Sequence, residues 1–272
     1  MQIPTYNENR IMKLNRIYNM DCLEFMQANK AVADVVLTSP PYNTSRKGSS
    51  LEHLDDPQEN IRYDVFNDCR PNGEYCDWTV EVFKGIDNIL KPNGCVLYNM
   101  SYSSENTEVM YLAIAAILQR TNFTIAGDIV WKKTSASPDS CSPNKLTRIC
   151  EHVFVFCRRS EFATFRTNKK VTSQRKTGQN AYANIFNFIE APNNDEACPI
   201  HKATYSTMLC RKLLDIYAPQ GSVIYDPFMG TGTTAVACVM ERYDWIGTEI
   251  SERYCDYANK RIDAAQRQLT LF

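Results

Sequence analysis

Strand-like and helix-like segments alternate along almost the whole chain, and no other feature of the sequence restricts its fold as much. Ala33-Asp34-Val35-Val36-Leu37 reads as a short buried strand. Residues 74–90 carry Val80, Phe83, Ile86 and Leu90 at three- and four-residue spacing, the period of one helix face. Lys91-Pro92-Asn93-Gly94 ends that helix, because proline cannot continue it and glycine tolerates the turn. Residues 94–98 follow as a strand, then a helix near 105–119, a strand over 124–131 and a strand over 153–156. The remainder reads as helix 204–217, strand 222–225, helix 232–241, strand 244–248 and helix 252–267. Such alternation predicts an α/β fold, a mostly parallel sheet covered by helices on both faces.

Two regions break the pattern. Residues 44–73 are polar and acidic and read as a long loop above the sheet. Residues 132–148 and 158–199 are polar and irregular. The stretch 131–176 holds eleven Lys or Arg against three acids, a local charge of +8 in a chain whose formal charge is −1. A protein that coats polyanions with its whole surface is thereby excluded, and a local basic face is expected instead. At 272 residues, with no internal repeat and no visible boundary, the chain reads as a single catalytic domain over 1–272. No apolar run is long enough to span a membrane. The first ten residues have no apolar signal core, so a cytoplasmic location is expected. The eleven cysteines contain no CxxC pair, and only three histidines are present, so reduced core thiols and no metal site are expected.

Asp226-Pro227-Phe228-Met229-Gly230-Thr231-Gly232-Thr233-Thr234 follows the apolar strand Val223-Ile224-Tyr225 and opens a helix. Its glycines let the backbone approach a ligand, and the helix N-terminus beyond offers free N–H groups to an anion. A phosphate-binding P-loop lacks support, since no Lys follows the last glycine. A dinucleotide fingerprint would need a glycine at 235, where Ala235 stands. A loop for S-adenosylmethionine (SAM) remains, beside the plain alternative of a glycine-rich turn without a ligand. Asp226 is placed to take the ammonium of such a molecule. Glu249, ending the next strand, is placed to accept from two ribose hydroxyls.

Thr38-Ser39-Pro40-Pro41-Tyr42-Asn43 follows the first strand. Two successive prolines make a rigid turn whose carbonyls stay available as acceptors, at the strand end where open α/β sheets bind ligands. Ser39 adds a side-chain acceptor and Tyr42 a flat face.

Together these motifs resemble those of the amino-methylating DNA methyltransferases, which modify N4 of cytosine or N6 of adenine. Ser39-Pro40-Pro41-Tyr42 is similar to their (Asp/Asn/Ser)-Pro-Pro-(Tyr/Phe) signature, and Asp226–Thr234 to their SAM loop. The catalytic motif precedes the cofactor loop, as in the beta group of that family. Asn19-Met20-Asp21-Cys22-Leu23 resembles the segment whose Asp contacts the cofactor's adenine. Trp131-Lys132-Lys133 and Glu151–Phe156 resemble two later strands. His201-Lys202-Ala203-Thr204-Tyr205 resembles a segment that packs beside SAM, although Ser206 stands where the family often has proline.

The resemblance implies a Rossmann-like methyltransferase fold with permuted motif order and a small target-recognition insert, here about residues 159–198. It implies catalysis by Ser39, Pro40, Pro41 and Tyr42. It also implies cofactor contacts from Asp21, Thr38, His201, Asp226, Pro227, Phe228, Gly230, Gly232, Thr233, Thr234 and Glu249. Ser39 Oγ and the Pro40 carbonyl would hold the two amine hydrogens, Tyr42 would stack on a base flipped from duplex DNA, and no covalent intermediate is needed. Lys169, Lys170, Arg175 and Lys176 are expected on DNA phosphates. Serine at the first signature position favours N4 of cytosine over N6 of adenine. An RNA or protein amide methyltransferase is the more distant alternative, and a SAM-binding module without activity another. The resemblance leaves open whether a cognate restriction endonuclease is a partner, beside double-stranded DNA itself. Monomer and homodimer both stay open.

Overall fold

The computed structural model describes residues 12–44, 65–136, 143–195, 198, 200 and 204–269. The elements run β1 (Arg16–Asn19), α1 (Cys22–Ala28), β2 (Ala33–Thr38), α2 (Asn72–Ile89), β3 (Leu90–Met100), α3 (Val109–Arg120), β4 (Phe123–Lys133) and β5 (Cys150–Arg158). They continue with β6 (Val171–Gln174), β7 (Asn180–Tyr182), β8 (Phe188–Ala191), α4 (Thr207–Tyr217), β9 (Val223–Asp226), α5 (Thr233–Glu241), β10 (Asp244–Glu249) and α6 (Glu252–Leu269).

Eight strands form one sheet in the order β1-β10-β9-β2-β3-β5-β4-β8. Every neighbouring pair is parallel except those of β5, which is antiparallel to both β3 and β4. The expected mostly parallel sheet is present, with one reversed strand. Strand residues alternate between two cores, as the period of two requires. Val35, Leu37, Leu97, Val155 and Ile224 face α4, α5 and α6 through Leu209, Leu213, Ala235 and Ile262. Val36, Val96, Tyr98, Phe156 and Tyr225 face α1, α2 and α3 through Phe25, Phe83, Ile86 and Ile117. Seven of the ten cysteines in the described residues are buried and none is in a disulfide, so they act as small core side chains.

The structure departs from the sequence reading in three places. Lys91-Pro92-Asn93-Gly94 is a bulge inside β3 rather than a turn before it. Leu90 already pairs with Ala33, and pairing resumes at Cys95 with Val35. Asn93 absorbs the extra chain with a φ of 59°, a left-handed conformation that asparagine tolerates. Secondly, β1 and α1, of four and seven residues, are too short to show a period. Thirdly, the segment 159–198 is not wholly outside the sheet. Residues 188–191 form β8, parallel to β4, and Ile189 and Ala191 belong to the core. Buried Ile189 and Ala191 alternate with exposed Phe188 and Glu190, a four-residue pattern that a reading for irregularity overlooks. What projects from the sheet is the hairpin β6–β7 and its flanks. Most of the acidic loop, residues 45–64, lies outside the described residues.

Candidate active site

The chain leaves β2 toward β3 on one side and leaves β9 toward β10 on the other, and β2 and β9 are neighbours. Strand order therefore reverses between them, and a crevice opens at their C-terminal ends. Both motifs singled out in the sequence sit at that edge. Thr38 Oγ1 donates to Asp226 Oδ1 at 2.6 Å and ties one loop to the other.

The glycine loop owes its shape to three devices. Asp226, 1% exposed, accepts from Thr38, from the Phe228 N–H at 3.0 Å and from Thr234 Oγ1 at 2.5 Å, with the Tyr205 hydroxyl at 3.5 Å. Burial pushes its carboxyl up to about 6, against the pull of these hydrogen bonds. Gly230 and Gly232 take φ values of 52° and 86°, in the left-handed region. A Cβ on Gly232 would stand 2.9 Å from Ala258 Cβ, so α6 packs against bare backbone there. Arg261 of α6 donates to Thr231 O at 2.8 Å and Thr233 Oγ1 at 3.2 Å, and its other nitrogen meets Asp195 at 2.9 Å.

The loop lines a cavity of about 180 Å³. Asp21, Ser39, Pro41, Pro227, Phe228, Gly230, Thr233 and Glu249 line it, and so do Phe66 and Arg70 of the segment leading into α2 and Trp78 of α2 itself. Asp226, Gly232, Thr234 and Thr38 stand behind the wall and shape it. Glu249 accepts from the Gly230 N–H at 2.8 Å and the Ser251 N–H at 2.9 Å. Asp21 caps α1 through the Leu23 N–H at 2.7 Å. Arg70 lies 4.5 Å from the Phe66 ring centroid and 5.6 Å from that of Trp78. Aromatic faces for a purine, carboxylates at two strand ends for hydroxyls and an ammonium, and a side-chain-free glycine cradle make a donor set that fits SAM. His201 lies outside the described residues.

The Pro-Pro turn is held rigidly. Tyr75 donates to Pro41 O at 2.7 Å, while no described residue engages the Pro40 carbonyl. Asn43, fully buried with a φ of 55°, clamps the turn to Arg70 through reciprocal bonds of 2.9 and 2.8 Å. Tyr42 is 7% exposed, and its hydroxyl is the hub of a buried network. It lies 2.9 Å from Ser39 Oγ, 2.6 Å from Asn99 Nδ2 and 3.0 Å from Glu151 Oε2. Asn99 Nδ2 also reaches Glu151 at 3.0 Å, and Lys133 pairs with the other oxygen of Glu151.

Asn99, Glu151, Lys133, Phe66, Arg70 and Trp78 are site residues that the sequence reading misses. A polar residue inside an apolar strand is the available signal for Asn99, and a charge at the mouth of one for Glu151.

The basic segment divides. Lys132 pairs with Glu190, Lys133 with Glu151, and Arg158 with Asp87 and Glu161. Part of the +8 is thus taken up by structural pairs. Lys170, Arg175 and Lys176 are exposed and Lys169 is half-buried. None of the four pairs with a carboxylate among the described residues.

Comparison with known proteins finds relatives along most of the chain. Type II methyltransferase M.HinfI of Haemophilus influenzae is 26% identical over 261 residues, which cover 92% of this chain and 68% of that protein. Orphan methyltransferase M.BamHII of Bacillus amyloliquefaciens is 24% identical, over 84% of this chain and 88% of its own. PvuII DNA methyltransferase, described as cytosine-N4-specific, superposes with a TM-score of 0.68 at 16% identity, covering 93% of this chain and 91% of that one. A putative DNA modification methylase of Thermus thermophilus, complexed with S-adenosyl-L-methionine, superposes with a TM-score of 0.60 at 18% identity, covering 92% and 95%. The family model for N6/N4 DNA methylases matches residues 33–260, a span that runs from β2 with its Ser39-Pro40-Pro41-Tyr42 turn, through the glycine loop and Glu249, into α6. This chain belongs to the N6/N4 DNA methylase family.

Proposed function

We propose that the chain transfers a methyl group from SAM to the exocyclic N4 of cytosine in a specific duplex DNA sequence. The observation that carries this reading is that Ser39 opens into the same cavity as Glu249 and the glycine loop. Acceptors for an amine therefore stand beside a site suited to the methyl donor. Bound SAM supplies an electrophilic methyl group on a sulfonium.

The chain's own residues do the rest. Glu249, Asp21 and the Gly230–Thr233 loop bind the donor, with Phe228 at its aromatic wall. Ser39 Oγ and the Pro40 carbonyl, unengaged among the described residues, accept the two amine hydrogens and turn the nitrogen lone pair outward. Catalysis is then positioning and electrostatics. Tyr42 holds Ser39 from behind, and its low exposure makes that role better supported than stacking on the base. The projecting part of residues 159–198, with Lys169, Lys170, Arg175 and Lys176, serves as the target-recognition insert. Serine at position 39 and the likeness to a cytosine-N4-specific enzyme both favour cytosine over adenine.

The test is nucleoside mass spectrometry of duplex DNA incubated with the protein and SAM. N4-methylcytosine is expected. N6-methyladenine alone would move the target base and keep the enzyme class. Methylation of RNA or protein, with DNA left unmodified, would overturn the reading.

A further inference from the structure

We infer that Glu151 is the terminal proton acceptor of the methyl-transfer site, reached from the substrate amine through Ser39 and Tyr42. The inference rests on the function proposed above and adds a route for the proton.

Topology brings the parts together. In the sheet order β2, β3, β5, β4, three strands end at the active-site edge and contribute the Ser39 turn, Asn99 and Lys133. β5 runs the other way, so its first residues lie at that same edge. That reversal delivers Glu151. Lys133 lies two positions beyond Trp131, which pairs with Glu151, so the two charges are diagonal neighbours across the β4–β5 ladder.

Donor and acceptor counting sets the direction of the chain of bonds. An ionised carboxylate only accepts. Glu151 Oε2 therefore receives the Tyr42 hydroxyl proton at 3.0 Å and an Asn99 amide proton at 3.0 Å, and Oε1 receives Lys133. The Tyr42 oxygen, its own proton committed, accepts from Asn99 at 2.6 Å and from Ser39 at 2.9 Å. Ser39 must then be the donor in its bond to Tyr42. Asn99 Nδ2 also lies 3.5 Å from Ser39 Oγ, but its two hydrogens go to the shorter bonds with Tyr42 and Glu151, which leaves Ser39 able to accept on the cavity side. A serine facing an amine needs that state, because it has to accept. The same carboxylate orients Asn99, whose Oδ1 accepts no bond among the described residues although the side chain is 1% exposed.

The balance is complete. The N–CH₃ bond forms as the S–CH₃ bond breaks, and the amine gives up one proton. Ser39 Oγ takes that proton as its own passes to Tyr42, whose proton passes to Glu151 Oε2. The thioether leaves neutral, the methylated amine is neutral, and Glu151 becomes a carboxylic acid beside Lys133. The charged groups in contact with Glu151 are limited, among the described residues, to Lys133. His152, next in sequence, pairs instead with Asp128 at 3.1 Å.

Single-turnover methylation of duplex DNA tests this in wild type, Glu151→Gln, Glu151→Asp, Tyr42→Phe and the double variant Glu151→Gln/Tyr42→Phe. Calorimetric SAM affinity and duplex affinity are measured alongside. Glu151→Gln is nearly isosteric but reverses the donor direction, and a rate loss of about 10²-fold is expected, in the range of a lost acid–base group. SAM and DNA binding should stay within about threefold. Glu151→Asp should retain more activity than Glu151→Gln, whereas a packing role predicts the opposite rank. The double variant should be no slower than the worse single variant. Wild-type rate in Glu151→Gln, or losses that multiply in the double variant, overturns the relay. If Glu151→Gln fails to fold, Tyr42→Phe decides alone, and an unchanged rate there overturns it. Absence of DNA methylation by the wild type removes the underlying function instead.

Discussion

Thr38 donates its hydroxyl to Asp226 Oδ1 at 2.6 Å, joining the loop after β2 to the loop after β9 across 188 positions of sequence. The bond lies between two adjacent strands at the point where strand order reverses. Thr38→Val keeps the shape and deletes the donor. A buried carboxylate that loses one of its partners costs about 1–3 kcal/mol. Urea denaturation should show that loss, and SAM affinity should weaken severalfold as the glycine loop loosens. Unchanged stability would mean that Thr38 does not fix the relation of the two loops.

Asp226 gives the fold a pH dependence of defined sign. Its carboxyl titrates near 6 in the folded chain, because burial outweighs its hydrogen bonds, against an ordinary value of 3.8. Between those values the folded protein holds a proton that the unfolded chain has released. The stabilisation tied to this proton is complete below the lower value and is lost as pH rises through the higher one. It amounts to something on the order of 3 kcal/mol. Asp226→Asn should flatten the fall in urea midpoint between pH 4.5 and 7. Binding of a cation beside the loop favours the ionised form, so wild-type SAM affinity should rise over the same interval and the variant's should not.

Glu249, the last residue of β10, lines the cavity beside the glycine loop and is the residue proposed to hold the ribose of SAM. Its carboxylate already holds the Gly230 and Ser251 N–H groups. Glu249→Ala would therefore disturb the loop as well as the ligand. Glu249→Gln keeps an acceptor oxygen while replacing the other by a donor. Calorimetry should show SAM affinity reduced at least about tenfold, or about 1.4 kcal/mol. Equal affinity would take Glu249 out of the site.

Gly232 carries two separable costs if substituted. A side chain at a φ of 86° is strained, and its Cβ would sit 2.9 Å from Ala258 Cβ. Gly232→Ala should lose about 1–3 kcal/mol. Adding Ala258→Gly removes the 2.9 Å contact but leaves the Cα of residue 258 at 3.2 Å and the backbone strain in place, so the pair should recover part of the loss and no more. Full recovery would show that the clash alone forbids a side chain at this position.

Local pattern makes most of the fold legible. Period-two and period-3.6 segments reveal the long elements, and glycine and proline mark their ends, so the sheet and its two helical layers are readable. The reversal of β5 is not, because direction is a property of connection and no residue in Glu151–Phe156 encodes it. The active site divides in the same way. Ser39, Gly230 and Glu249 belong to contiguous motifs and stand out in the sequence. Asn99, Glu151 and Lys133 come from three strands and have meaning only once the sheet places them side by side. Sequence pattern marks Asp226 as important, but as a ligand. Its near-complete burial and its bonds to Thr38 and Thr234 make it first a support for the loop. Burial is a tertiary property, so a strand-ending aspartate reads alike in either role.

The basic segment yields the last prediction, because the structure separates its charges by role. Lys132 and Arg158 lie in ion pairs, so their removal should affect stability more than DNA binding. Lys170, Arg175 and Lys176 are exposed on or beside the β6–β7 hairpin, and Lys169 precedes it. Val171 and Tyr182, 53% and 54% exposed, stand on the same hairpin. Basic and apolar groups are thus presented together on a projection that contributes little to the main core. Changing Lys169, Lys170, Arg175 and Lys176 together to Ala should leave the thermal midpoint nearly unchanged. Duplex affinity should fall, and the slope of log affinity against log salt should flatten by about 0.9 for each phosphate no longer neutralised. A control variant at Lys132 should lower the midpoint slightly and leave that slope alone. If the fourfold variant keeps the wild-type slope, the hairpin does not touch the DNA backbone, and the recognition surface must be sought elsewhere on the chain.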